Sequence, residues 1–285
     1  MLGIAGIVIT FVCVFLPYML AGGKFGIILY ALPFELTTIA GAAAGAYMLA
    51  NKGKTGKALM KNFGKVFKGS KRKKDDYIQL LTLLFAIIKI IKTKGFVELE
   101  PQIEKPEESE LFKKYPLVLH DHFAVTLICD TLRMMTMNMD NPYHVEDVIA
   151  FSLERHHHDA VHPAHSLQTV ADGLPAIGIV AAVLGVIKTM ASITEPPAVL
   201  GAMIGGALAG TFLGVFMAYC FVAPMAGKMN EVAEEEGCFY DVIKKVFVTH
   251  LHGSAPQISI EVGRASIPHH LQPTFAEVET AQGSI

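Results

Sequence analysis

Five histidines fall within ten residues: His156, His157, His158, His162 and His165, with Asp159 among them. His158, His162 and His165 stand at i, i+4 and i+7, a spacing that lines one face of a helix. Metal binding is the chemistry such a face suggests. Three features weigh against it. Pro163 interrupts the face, no cysteine lies nearby, and a zinc site needs a fixed four-ligand set. The run reads instead as a solvated helix end whose charge changes around pH 6–7, because an unperturbed imidazole titrates near about 6.5. The chain offers no nucleophile–base pair and no glycine loop for phosphate, so an enzyme is not expected.

A second set of residues lies in apolar surroundings. Gly206, Gly210, Gly214 and Ala218 recur every four positions, and small residues at that spacing let helices approach closely in lipid. Packing within one chain is part of the reading, and because their number exceeds what one helix pair needs, the strip is also expected to face a helix of another subunit. Thr211 is the polar residue of the same segment, and its hydroxyl is expected to bond back to its own helix. Pro175 and Pro224 stand at the cytoplasmic ends of two apolar segments, where proline frees a backbone carbonyl and bends or ends a helix. Outside the apolar segments, Lys92, Lys94, Glu98 and Glu100 cluster around Gly95 and by themselves read as a solvated helix end.

The elements that must position these groups follow from composition. The 285-residue chain is 52% hydrophobic and 18% charged, too apolar for an ordinary soluble domain. Four stretches supply the roughly 20 apolar residues that a bilayer core demands. Residues 1–23 and 196–227 carry no charge, 25–50 carry Glu35, and 173–194 carry Lys188. The first lacks the basic start and small-residue cleavage site of a signal peptide. Glu35 is placed near the outer side of its span and Lys188 can snorkel outward. Residues 51–74 hold ten Lys or Arg, so residues 51–172, the tail from 228 and the N-terminus face the cytoplasm. Net charge is −2, which points to no nucleic-acid partner. Cys13, Cys129, Cys220 and Cys238 show no C-x-x-C spacing and suit a reducing compartment.

The expected architecture is all-α: transmembrane helices in 1–50, a helical cytoplasmic domain in 51–172, two further transmembrane helices in 173–227, and a cytoplasmic helix and tail in 228–285. Residues 58–67 read as a basic amphipathic helix on the inner leaflet, or as a juxtamembrane charge run held by the leaflet's negative potential. Residues 76–92 read as a buried bundle helix ended by Gly95. Helices over 121–138 and 143–159 are divided by the breaker "DNP" at 140–142. The end from Pro256 reads as irregular. Ion movement usually needs an ionisable group inside the bilayer, and the third and fourth spans have none midway. A central carboxylate is therefore expected from another chain.

At this point the motifs resemble those of a known family over roughly residues 1–280. "ALPFELTTIAGAAAG", "ELEPQIEKPEESELFKKYP", "VADGLPAIGIVAAVLGVIKTM", "GTFLGVFMAYCFVAPMA", "HGSAPQISIEVGRASI" and "QPTFAEVE" are similar to successive elements of the flagellar stator branch of the MotA/TolQ/ExbB proton-channel family. The resemblance implies a homopentamer in the bacterial inner membrane around the single spans of two MotB-type chains. Those partners supply the membrane aspartate, and the cytoplasmic loop pushes the rotor protein FliG. Pro175, Pro224 and Thr211 fall on the family's coupling and channel positions, and Lys92 and Glu100 on its rotor-contacting pair. The basic member of that pair is often Arg, so planar bidentate pairing is lost here and charge is kept. Ala182 stands where sodium-type members carry Thr, which favours H⁺ over Na⁺ as the coupling ion; no cofactor is implied. Two alternatives are a TolQ- or ExbB-like energiser and, in another class, a metal transporter with the histidines as sensor. A purely structural membrane scaffold is a third. "DGLPAIGIVAAVLG" is where ion coupling is expected.

Overall fold

The computed structural model describes residues 2–137 and 141–283, so Asp140 of the "DNP" breaker lies outside the described residues. Among them the secondary structure is helical, without strands. The helices are α1 (Leu2–Leu20), α2 (Phe25–Ala50), α3 (Gly53–Lys68), α4 (Lys74–Lys94), α5 (Glu100–Glu104), α6 (Glu110–Lys113), α7 (Pro116–Leu119), α8 (His122–Thr136), α9 (Pro142–Ala191), α10 (Pro197–Met217), α11 (Ala223–Leu251), α12 (Pro256–Ala265) and α13 (Phe275–Gln282). A π-helical turn, Ala218–Val222, joins α10 to α11. Four helical stretches are long and apolar enough to cross a membrane: those beginning at Gly3, Phe25, Pro142 and Pro197.

The chain divides into two compact units. One holds residues 1–69 and 160–232, the other 70–159 and 233–285. In the first, α2, the second half of α9 and α10 pack through small side chains. Ile39, Ala43, Leu174, Ala181, Leu213 and Ala218 form its core. Helix α1 joins through rings: Phe11 and Phe15 meet Phe212, Phe216 and Phe221 at centroid distances of 5.5–6.0 Å.

The second unit is built around α4. Leucine and isoleucine occur all round this helix, so it must be buried on every side. Leu80, Leu81, Leu84, Ile87 and Ile88 are fully covered, in one core with Ile128 and Leu132 of α8, Val242, Ile243, Val246 and Phe247 of α11, Ile260 and Val278. Asp76 Oδ2 accepts a hydrogen bond from the Lys73 backbone N–H (2.6 Å) to start α4, and Gly95 at φ +80° ends it. A polar node ties the linker before α4 to α8 and α11. Arg72 lies 3.8 Å over the Phe239 ring and donates to Asp121 and to the Tyr240 hydroxyl (3.1 Å). The Tyr240 hydroxyl donates to Asp121 (3.0 Å), which also caps α8 through the Ala124 N–H. Burial alone would raise the Asp121 carboxyl; the Ala124 N–H, Arg72 and Tyr240 outweigh it and hold it below the usual carboxylate range.

Two sequence expectations are corrected. The helix expected over 143–159 and the third span are one uninterrupted helix, α9, with Pro163 and Pro175 inside it. Each proline removes a single i→i−4 bond, and buried Val161, Ala164, Ala171 and Leu174 carry the helix past both. The tail after Pro256 is not irregular. Pro256 begins α12, and Thr274 with Glu277 forms a reciprocal capping box that starts α13.

Candidate ion-coupling site

Helices α9 and α10 cross at glycines. A methyl group on Gly214 would lie 2.8 Å from both the Gly178 Cα and the Leu174 carbonyl oxygen; one on Gly185 would lie 2.6 Å from the Ala207 Cβ. Between these contacts, a methyl group on Gly210 would lie 3.2 Å from the Ala182 nitrogen and 2.6 Å from Glu35 Oε2. The same α10 surface receives α2, for a methyl group on Gly206 would lie 3.6 Å from the Ala31 Cβ. Gly206, Gly210 and Gly214 are therefore occupied by α2 and α9 of the same chain. Packing within one chain, one of the two readings the sequence leaves open, accounts for these contacts, because two intrachain neighbours share the strip.

Glu35 also reaches this site, a contact the sequence does not announce. In the structure its carboxylate reaches the middle of the α9–α10 crossing, beside Gly210 and the backbone of Ala182. The chain thus carries an ionisable group against the α10 glycine strip of its apolar unit. The Pro-x-Glu-Leu stretch was visible, but the glycine that accommodates it lies 175 positions away.

The antiparallel register, Leu174 and Gly178 against Gly214, Ala182 against Gly210 and Gly185 against Ala207, brings Ala182 level with the residue before Thr211. It sets Pro175 near the level of Met217, where the π-helical turn begins. Pro224 follows that turn directly, about 10 Å further along the helix at 1.5 Å per residue. Proline has no N–H to offer the turn before it, and a π turn there accommodates the missing bond. Ala182 is buried, Thr211 and Pro175 are half-buried and Pro224 is exposed. Thr37, Thr38 and Thr189 donate to the carbonyl four residues earlier. Among the described residues, Thr211 makes no such bond, so its hydroxyl is not spent on its own helix as expected.

In the other unit, Lys92 lies in the last turn of α4 and Glu100 begins α5, both exposed. Lys94 and Glu98 pair at 3.3 Å. Among the described residues, neither Lys92 nor Glu100 has an ion-pair partner, and Gly95 makes the turn between them.

The histidines are not gathered at one place. His156 is stacked on Phe123, centroids 3.6 Å apart and planes within 8°, and meets the Tyr240 ring edge-on at 5.0 Å. Burial pushes its imidazole below the ordinary value, against the pull of Asp121 and Asp159. His157, His158, His162 and His165 are exposed. The run lies in mid-helix, so the expectation of a helix end is also corrected.

Residues 4–95 match the family described as Motility protein A N-terminal, and residues 121–238 match the MotA/TolQ/ExbB proton channel family. The chain belongs to the MotA/TolQ/ExbB proton channel family. Within it, the chain is 38% identical to Motility protein A of Salmonella typhimurium over 279 residues, covering 98% of this chain and 94% of that one. It is 34% identical to the chemotaxis protein LafT of Vibrio parahaemolyticus over 274 residues, covering 96% and 95%. The fold is similar to that in the C. jejuni MotAB structure, with TM-score 0.71 at 22% identity over 93% of this chain and 95% of that one. It is also similar to the flagellar MotAB stator complex of Bacillus subtilis, with TM-score 0.67 at 21% identity over 90% and 92%.

Proposed function

We propose that this chain is the multi-span subunit of a flagellar stator, which couples proton flow across the bacterial inner membrane to torque on the rotor. The observation that carries this reading is the match to Motility protein A over 98% of the chain, which includes the N-terminal spans as well as the channel segment. A MotB-type partner contributes a single span bearing the aspartate that takes up and releases the proton. Five copies of this chain surround two such partners. The N-terminus, the region from 51 to 172 and the tail from 228 lie in the cytoplasm, where the unpaired Lys92 and Glu100 meet FliG.

Pro175, Ala182, Thr211 and Pro224 form the coupling path. Ala182 offers no side-chain oxygen to a partly dehydrated Na⁺, which favours H⁺. One charge crossing 100 mV carries about 2.3 kcal/mol. That is enough to shift a helix pair with two nearly equal packings, not to drive bond chemistry. The glycine crossing and the π turn beside Pro175 are where such a shift needs least rearrangement.

Pro175→Ala tests this. In a host deprived of its own stator and supplied with the partner, the wild-type chain restores swimming. The variant is expected to reach normal membrane levels and to co-purify with the partner, yet leave cells non-motile. Full motility at normal assembly would contradict the coupling role.

A further inference from the structure

Helix α3 is amphipathic yet buries none of its residues. Lys54, Lys57, Lys61, Lys65 and Lys68 fall within an arc of about 80° at 3.6 residues per turn. Leu59, Met60, Phe63, Val66 and Phe67 fill an opposite arc of about 120°. Met60, Phe63 and Phe67 are 77%, 41% and 44% exposed, and the two phenylalanine rings lie together at 6.2 Å. No acidic residue occurs between Glu35 and Asp75, so α3 supplies no countercharge of its own. Its location within its unit is equally telling. A methyl group on Gly56 would lie 3.8 Å from the Tyr47 ring near the end of α2, and one on Gly3 would lie 3.9 Å from Phe67. Helix α3 therefore runs from the end of one apolar span to the beginning of another.

We infer that α3 is a docking surface for anionic phospholipids of the cytoplasmic leaflet. Its phenylalanine face enters the acyl boundary and its lysine stripe gathers headgroup phosphates around the subunit. An amphipathic helix with a bare apolar face and a cationic face has this preference, and lysine stems can lie along lipid while their ammonium groups reach the phosphates. An acidic protein is the less suitable occupant, since the apolar face already stands where lipid is. This inference rests on the membrane-spanning reading of α1 and α2.

The chain contains no tryptophan, so Phe63→Trp makes α3 its own reporter. The full-length variant is reconstituted into phosphatidylcholine–phosphatidylglycerol vesicles, with bromine on the acyl chains of one lipid or the other at equal bromine fraction. Quenching by brominated phosphatidylglycerol is expected to exceed that by brominated phosphatidylcholine about twofold at low salt. The preference should fall to parity at high salt and when Lys54, Lys57, Lys61 and Lys68 are all changed to Gln. Equal quenching by both lipids would overturn the inference and leave only apolar contact. Absence of quenching by either would place α3 in water or against protein. A chain that fails to float with the vesicles would overturn the membrane-spanning reading and this inference with it.

Discussion

Gly214 has no slack. Its Cα faces Gly178 and the Leu174 carbonyl, and both are backbone of a packed helix that cannot swing aside. Gly214→Val should separate α9 from α10 and cost about 1–3 kcal/mol by overpacking, with swimming lost and the thermal midpoint of the purified protein lowered. Gly210→Ala is the milder change, since part of its clash is with the mobile end of Glu35. His156 allows a prediction in pH. Its pKa is lowered on folding, so the unfolded chain binds more protons once pH falls below the ordinary value of about 6.5. Stability is thus fullest above that value and declines as pH drops through it. His156→Phe, which keeps the stack on Phe123, should flatten the fall in thermal midpoint between about pH 7.5 and 5.5. Part of the slope should persist, because His250 is also pushed down by burial, with Lys92 acting in the same direction. An unchanged slope would mean that His156 is not the titrating group. Asp121, lowered instead, loses its contribution only in stronger acid.

Among the elements, the apolar spans were legible because length and lack of charge are local properties. So was α4, whose leucine and isoleucine run nearly all round the helix between its charged ends. The unity of α9 was not, since Pro163 and Pro175 resemble breakers when the contacts that carry the helix past them are unseen. The contact between Glu35 and Gly210 joins two distant spans, and no periodicity announces it. Helix α13 could have been found: Thr274 followed by Glu277 is a capping box in sequence, outweighed in the reading by nearby prolines and polar residues. Lys74 and the backbone N–H and hydroxyl of Thr274 hold the Glu277 carboxyl down to about 2. Thr274→Ala should remove this cap at a cost of about 1 kcal/mol and speed amide exchange across Phe275–Gln282 while leaving α4 protected. Uniform exchange behaviour in wild type and variant would show that Val278, buried in the core, holds α13 without its cap.

At the scale of the whole molecule, the chain combines an apolar unit whose helices meet at glycine and a unit with an ordinary packed core, and α9 contributes residues to both. The Ala182–Gly210 crossing lies in the apolar unit, on the part of α9 that follows Ala160. The central claim is that the passing ion is H⁺. It is tested most directly by swimming speed in a host that depends on this chain and its partner, measured against Na⁺ concentration at fixed pH and then with a protonophore. The account predicts a speed indifferent to Na⁺ that collapses when the protonophore is added. A speed that rises with Na⁺ and survives the protonophore would contradict it.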